Sequence, residues 1–293
     1  MKIGIYGQPN NEITKKHVYY LIDIFKKRNI DFQFEEKFYN YLKEDNPNID
    51  FKVFKDYYDL DSSFDLFFSV GGDGTFLRSI TFVRDHNIPI IGINTGRLGF
   101  LATIQKEEIE SAVDMLLRKE YTVEKRALLR VTTNELIEEL NGLNFALNEI
   151  SISRKNTASM ITVETYLNDE YLTTYWSDGL IISTPTGSTG YSLSCGGPII
   201  SPGSKNLVLT PIAPHSLSVR PLVIPLKTKI EIKVDSRANE ALLTLDSRVI
   251  TITNKTKIVI EKNNFSIKVI QLNNRSFIKT LREKLLWGED RRN

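Results

Sequence analysis

One cysteine and three histidines among 293 residues leave little material for several kinds of chemistry. With Cys195 alone there is no internal disulfide framework, which fits a reducing, cytoplasmic setting. His17, His86 and His215 are scattered and share no metal-ligand spacing. Charge of one sign is also missing: 38 basic and 36 acidic residues leave a net charge of +2. That balance gives no whole-molecule reason to expect nucleic acid or an anionic membrane as partner. The longest apolar region, Leu207 to Leu226, is interrupted by Pro211, Pro214, His215, Arg220, Pro221 and Pro225, so no membrane span is expected there. The opening residues Met1 to Gly7 read as a short strand running into a Gly/Pro/Asn turn by Asn11, without the long apolar stretch of a signal peptide. There is no G-x-x-x-x-G-K-[ST] loop and no G-x-G-x-x-G fingerprint after the first strand, which argues against a Walker-type NTPase and an ordinary dehydrogenase.

What is present is a carboxylate set among glycines: Gly71-Gly72-Asp73-Gly74-Thr75. The apolar run Leu66 to Val70 before it reads as a buried strand, and Phe76 to Asp85 after it has a helical pattern. Glycines at a strand-to-helix turn free backbone N–H groups for phosphate, and the helix N-terminus adds favourable partial charge. An acid there makes sense if it takes a proton from a nucleophile or holds a metal ion. The plain alternative is a turn carboxylate that satisfies local N–H groups.

The spacing predicts helices over Thr14–Arg28, Phe32–Lys43, Phe76–Asp85 and Glu107–Lys119, alternating with strands at Lys2–Tyr6, Leu66–Val70 and Pro89–Asn94. Such alternation implies a parallel sheet with flanking helices, in which ligands collect at the carboxyl ends of strands. Near Glu124 the texture becomes predominantly β, with strands expected at Ala127–Thr133, Gly142–Ser153, Met160–Leu167, Glu170–Tyr175, Leu180–Ser183 and in five later runs up to Gln271. Ser276 to Leu286 returns to a helical pattern, and a polar tail starts at Gly288. The expected division is therefore 1–124, 125–272 and 273–293.

A second cluster runs from Trp176 to Pro202. The apolar strand Leu180–Ser183 leads into Thr184-Pro185-Thr186-Gly187-Ser188-Thr189-Gly190-Tyr191, followed by Ser194 and Gly196-Gly197-Pro198. Hydroxyls and freed amides suit a phosphate- or ribose-bearing ligand, and Tyr191 offers a flat face for a base. Asp178, just before the strand, could accept hydrogen bonds from sugar hydroxyls or an amide. Asn148-Glu149 stands in a β run, where alternation puts the two on opposite faces and a Glu calls for a partner.

Together these sets resemble the NAD kinase family. The resemblance is carried by Gly71 to Thr75, Asn94-Thr95-Gly96-Arg97-Leu98-Gly99-Phe100, Asn148-Glu149 and Asp178 to Tyr191 with Gly196-Gly197-Pro198, and it runs over nearly the whole chain in order. The glycine turn alone is shared, with variants, by phosphofructokinases and by diacylglycerol and sphingosine kinases. The resemblance implies phosphorylation of the 2′-hydroxyl of the adenosine ribose of NAD to give NADP. It implies Asp73 as general base, with Gly72, Gly74 and Thr75 shaping the donor-phosphate pocket. It also implies that Phe100 should line the adenine pocket and that Asn148 and Glu149 should contact the dinucleotide. By the same resemblance Asp178 should approach the nicotinamide ribose or carboxamide, with Thr189 and Tyr191 near the adenine end, and Gly190, a further cofactor-binding residue, stands where the family often has Ala. Thr186 and Ser194 belong to the same loop, and Asp246 matches a position near the reacting ribose, although Ser247 departs from the family's usual Gly or His.

Further implications are an α/β N-terminal domain joined to a β-rich C-terminal domain, with the C-terminal helix packed back on the first. Others are a divalent cation, expected to be Mg2+, ATP or polyphosphate as donor, and a homodimer or homotetramer. Rival readings are a lipid kinase sharing the glycine turn and a non-catalytic NAD(P)-binding regulator. Arg97 is a candidate phosphate contact, Cys195 a packing residue, and His215 a residue able to approach a pocket.

Overall fold

The computed structural model describes residues 1–9, 12–155 and 159–287. The chain divides into two compact units, Met1–Lys125 with Ile267–Asn293, and Arg126–Ser266. The turn at Asn10-Asn11 and the polar tail from Gly288 lie outside the described residues. None of the described helices is long and apolar enough to cross a membrane.

The first unit alternates strand and helix: β1 Lys2–Gly7, α1 Glu12–Lys27, β2 Asp31–Glu35, α2 Glu36–Lys43, β3 Val53–Phe54, β4 Leu66–Val70, α3 Asp73–Val83, β5 Ile90–Asn94, β6 Ile104–Gln105 and α4 Ile109–Leu117. Strands β3, β2, β1, β4 and β5 lie side by side, all parallel, and Val269 near the chain end pairs in parallel with Ile90 of β5. Every residue of β4 and β5 is buried, as a sheet covered by helices on both faces requires. One face packs Ile3, Ile5, Phe34 and Phe68 against Leu21 and Phe25 of α1 and Val113 of α4.

The helix expected over Phe32–Lys43 is a strand followed by a shorter helix. Asp31-Phe32-Gln33-Phe34 alternates with period two and pairs with Lys2 to Ile5, so strand pairing overrides the helical reading of its aromatic residues. Glu35 then caps α2 by accepting a hydrogen bond from Phe38 N at 2.9 Å.

The second unit holds β7 Tyr121–Thr133 from Arg126 on, β8 Phe145–Ala146, β9 Glu149–Arg154, β10 Ile161–Leu167, β11 Glu170–Ser177, β12 Gly179–Ser183, α5 Tyr191–Ser194, β13 Asn206–Ile212, β14 Leu222–Pro225, β15 Ile230–Asp235, β16 Glu240–Leu245, β17 Arg248–Thr253 and most of β18 Lys257–Leu272. Six of them form an antiparallel sheet in the order β14-β13-β12-β9-β16-β17. A second layer runs β11-β10-β15-β18, also antiparallel. Ile150, Ile152, Leu180 and Leu243 of the first layer meet Ile161, Val163, Ile232 and Ile258 of the second in one core.

Three expectations change here. The strand over Gly142–Ser153 is broken, because Leu147-Asn148 forms a bend between β8 and β9. Strands β13 and β14 occupy the proline-interrupted region, with Pro211 placed beyond the last residue of β13 paired to β14. The return to the first unit begins at Ile267 inside β18, not at 273, because the strand continues through the boundary without a turn. The final helix, α6 Phe277–Leu285, is tied into the first unit: Phe277 lies 6.4 Å from the Phe100 ring, and Lys284 Nζ donates to Leu98 O at 2.6 Å.

Candidate functional site

In the first unit the carboxyl ends of β4 and β5 are laced together. Asp73 is the first residue of α3, with Gly72 as its N-cap. Its Oδ2 accepts a hydrogen bond from Phe100 N at 2.8 Å, and its Oδ1 accepts from Leu101 N at 3.0 Å and Ala102 N at 2.9 Å. The carboxylate thus ties down a loop, through amides 27 to 29 residues away and not through the local N–H groups of its own turn. A carboxylate has about four lone-pair sites, and three donors leave one open, on Oδ2. The approach requires Gly99, where a Cβ would stand 2.0 Å from Asp73 Oδ1.

Asn94 holds the same loop from below, donating to Arg97 O at 2.6 Å and accepting from Gly96 N at 2.7 Å. Thr75 is buried, whereas a Cβ at Gly72 or Gly74 would meet nothing within 4 Å. Those two glycines thus leave backbone uncovered at a helix N-terminus, the arrangement that accommodates phosphate. Phe100 is half-buried, with Lys284 Nζ 5.3 Å from its ring centre as well as Phe277 beside it, so α6 covers part of the ring expected to line the adenine pocket. Arg97 is exposed next to Gly96.

In the second unit the bend at Leu147-Asn148 replaces alternation, so Asn148 and Glu149 do not point to opposite faces. They converge on Gly190, where a Cβ would lie 3.2 Å from Glu149 Oε2 and 3.4 Å from Asn148 Nδ2. Nor is Glu149 a solvent-facing residue on an edge: β9 has neighbours on both sides, and Glu149 is only 9% exposed. Asp246, at a positive φ of 53°, accepts from Leu147 N at 2.9 Å, Asn148 N at 2.8 Å and Glu149 N at 3.2 Å. Burial and the nearby Asp246 charge push the Glu149 carboxyl up to about 8. Burial also raises Asp246, against the three amides and the Arg248 guanidinium that favour its charged form. Among the described residues, the buried atoms Asn148 Oδ1 and Glu149 Oε2 have no hydrogen-bond partner.

The Thr/Gly/Ser loop wraps this bend. Thr184 Oγ1 donates to Leu147 O at 2.6 Å, Thr184 N donates to Asn148 O at 2.9 Å, and a Cβ at Gly187 would be 2.1 Å from Asn148 O. Thr186 is buried and Thr189 Oγ1 donates to Thr186 O at 3.2 Å, while Ser194 is exposed. Tyr191 is 45% exposed, leaving ring surface available. Asp178 is paired with Arg154 Nη2 at 3.0 Å, a partner the sequence reading did not name. Burial raises the Cys195 thiol, consistent with a packing residue rather than a nucleophile. His215 stacks beside the half-exposed Trp176 ring at 4.7 Å, and Trp176, Arg154 and Arg237 line a cavity of about 290 Å³ that sequence reasoning missed. The sequence carries no local signal for it, because Arg154 and Arg237 are far from Trp176 along the chain.

Among the described residues no group of three or more His, Cys, Asp or Glu side chains is gathered as a resident metal would need. Asp73 has given three of its lone pairs to amides. The side chains present do not fit a protein-held metal centre.

A parallel sheet ending in an open glycine turn, together with a β unit whose unpaired buried acceptors lie beside a hydroxyl-rich loop, fits a two-domain kinase of small molecules. Comparison with known proteins narrows the class. The ATP-NAD kinase N-terminal domain model matches residues 3–121, and the ATP-NAD kinase C-terminal domain model matches residues 147–272. An NAD kinase of Christiangramia forsetii is 53% identical over 294 residues, covering 100% of both chains. The structure of an NAD kinase from Archaeoglobus fulgidus in complex with ATP aligns with a TM-score of 0.74 and 26% identity, covering 98% of this chain and 99% of that one. Yeast NADH kinase complexed with NADH shares the fold, with a TM-score of 0.85 at 23% identity over 100% of this chain and 89% of that one. The chain belongs to the ATP-NAD kinase family.

Proposed function

We propose that the chain transfers a phosphoryl group from ATP or polyphosphate to the 2′-hydroxyl of the adenosine ribose of NAD, giving NADP. It is a phosphotransferase, and its activity is that of an NAD kinase. The observation that carries the acceptor is the pair Asn148 Oδ1 and Glu149 Oε2, buried and unpaired beside Gly190. Unpaired buried acceptors cost roughly 1–3 kcal/mol each, and ribose hydroxyls are donors that would satisfy them. Below pH about 8 Glu149 carries a proton, so it can also donate to a ribose oxygen without placing a second negative charge beside Asp246.

A ribose hydroxyl is a weak nucleophile, and Asp73 takes its proton through the open lone pair of Oδ2. Phosphoryl transfer through a loose transition state asks little of base strength, so most of the gain comes from holding donor and acceptor in place. The amides left open at Gly72 and Gly74 serve the donor phosphates. A divalent ion, expected to be Mg2+, enters as part of the substrate on those phosphates. The working enzyme is a homodimer or homotetramer in the cytoplasm, which light scattering and fractionation would test.

The deciding experiment measures NADP formation from NAD with ATP and, separately, with polyphosphate across several divalent ions. Product with either donor is the expected result. Absence of product with both donors at every ion overturns the reading.

A further inference from the structure

Helix α6 is well framed but buries little of itself. Ser276 caps its start by accepting from Lys279 N at 3.2 Å, and Arg282 and Lys284 in its last turn complement the carbonyl end of the dipole. Of its nine residues, two, Thr280 and Leu281, are buried. So small an apolar contact holds a helix weakly, and its polar contacts weigh heavily in where it sits. At the N-terminal end Arg275, with a side chain only 7% exposed, is ion-paired with Glu108, the N-cap of α4, and with Glu283 at 3.4 Å. The other end is held by Lys284.

Phe277, Leu281 and Lys284 are spaced by four and three residues, so they share one face of α6. Leu281 is buried between the other two, and both of those reach Phe100. The Phe277 and Phe100 ring centres are 6.4 Å apart, and Lys284 Nζ lies 5.3 Å from the Phe100 ring centre. Lys284 Nζ also donates to Leu98 O at 2.6 Å, a short, charge-assisted hydrogen bond. One residue, Gly99, separates that carbonyl from Phe100 N, the first of the three amides that Asp73 accepts. Asn94 fixes the same loop at its two ends, donating to Arg97 O at 2.6 Å and to Ala102 O at 3.2 Å. Lys284 holds the stretch between them. A glycine in that stretch has the most backbone freedom to lose, so the direction of the amides beyond it depends on a fixed point on either side.

We propose that Lys284 is a positioning residue for phosphoryl transfer: from α6 it fixes Leu98, and so keeps the amides of Phe100 to Ala102 aligned on the Asp73 carboxylate. It acts through the loop and not on the substrate. With three amides in register, the open lone pair of Oδ2 faces one direction, as a base serving one hydroxyl requires. Misplacing a reacting group by about 1 Å costs on the order of 100-fold in rate, which is the scale of what such a brace protects. The proposal rests on the NAD kinase reading with Asp73 as base, and adds to it a residue from the far end of the chain.

The test compares wild type with Lys284→Met, which keeps an unbranched apolar stem against Phe100 and removes the ammonium, and with Lys284→Arg, which keeps a charged donor. In Lys284→Met, kcat for NADP formation should fall about 10–100-fold while KM for NAD and for ATP stays within about threefold. Lys284→Arg should regain most of the loss. Hydrogen exchange of the amides from 98 to 102 should quicken about tenfold in Lys284→Met, with the melting temperature nearly unchanged. In an Asp73→Asn background the same substitution should cost less than about twofold, because the lysine works through the carboxylate. Equal losses in both backgrounds overturn the inference, since a merely structural role would lower each alike. A rise in NAD KM at constant kcat also overturns it and makes Lys284 part of the adenine pocket instead. Unchanged kcat and unchanged exchange do the same. If Lys284→Met fails to fold, Lys284→Gln carries the same comparison. If wild type makes no NADP, the activity reading fails by itself, and the exchange of 98 to 102 still decides whether Lys284 holds the loop.

Discussion

Two aspartates, one in each unit, do the same thing in different surroundings. Asp73 accepts hydrogen bonds from three consecutive backbone amides, Phe100 to Ala102, and Asp246 accepts from three others, Leu147 to Glu149. Each pins a loop from across the sequence, and each keeps one lone pair open. The difference lies in the neighbours. Around Asp73 stand glycines, two of them facing open space. Around Asp246 stands a second acid, Glu149, buried and held near neutrality. Three amides on a carboxylate therefore fix position but not role, and role follows from what the fourth lone pair meets.

Breaking the first aspartate has the largest expected effect. Asp73→Asn should lower kcat for NADP formation by about 100–10,000-fold, the usual contribution of a positioned general base. NAD affinity, read by fluorescence quenching or calorimetry, should change little, since the dinucleotide contacts proposed above lie in the other unit. Near-normal kcat in this variant would falsify the base role and leave Asp73 a loop tie only.

The second test turns on Glu149. Its carboxyl is raised from 4.5 to about 8 in the folded chain. Between those values the folded state holds a proton that the unfolded state has released, so stability falls as pH rises from about 4.5 to 8 and is level above. The full swing is roughly 3–5 kcal/mol at most. Glu149→Gln mimics the protonated acid, so its melting temperature should lose much of that slope while staying close to wild type near pH 5. An unaltered slope would show that Glu149 does not titrate in this window.

Asp246→Asn probes the matching clamp. Asn tolerates the positive φ of 53° that Asp246 adopts, so backbone strain is not the variable. One acceptor oxygen must then serve three amides, and stability should fall by about 1–3 kcal/mol. Because the Asp246 charge contributes to raising Glu149, this variant should also flatten part of the Glu149 pH slope. Additive behaviour of the two substitutions would argue against the coupling.

How far these sites were legible in the sequence follows from the same comparison. Asp73 stood out because its glycines are adjacent to it in the chain. Its partners, Phe100 to Ala102, were in view only as a second glycine turn, because a tie across 27 to 29 positions leaves no local pattern. Asn148-Glu149 was visible as a polar pair, but alternation put the two on opposite faces. The bend that turns both toward Gly190 is imposed by Asp246 and Thr184 from far along the chain. The aromatic stretch at Phe32 to Phe34 misled the helix reading because pairing with β1 is a tertiary fact. The proline-rich strands β13 and β14 were hidden for the same reason: antiparallel neighbours, not propensity, make them strands.

The smallest expected effect separates the glycines that the fold needs from those it does not. Gly74 sits in the first turn of α3, where Ala is favoured over Gly by about 1 kcal/mol in a helix interior. A Cβ there meets nothing within 4 Å, so Gly74→Ala should leave the melting temperature unchanged or slightly higher. Gly99→Ala is the reverse case, since its Cβ would be 2.0 Å from Asp73 Oδ1 and must displace the carboxylate. Gly99→Ala should therefore lower stability and kcat together. Gly74→Ala should change only the donor side, raising KM for ATP severalfold while NAD KM holds, because a methyl would crowd amides that only a phosphate approaches. A Gly74→Ala enzyme with unchanged donor KM would mean that the open turn is not the donor's cradle, and that Asp73 works beside phosphates held elsewhere.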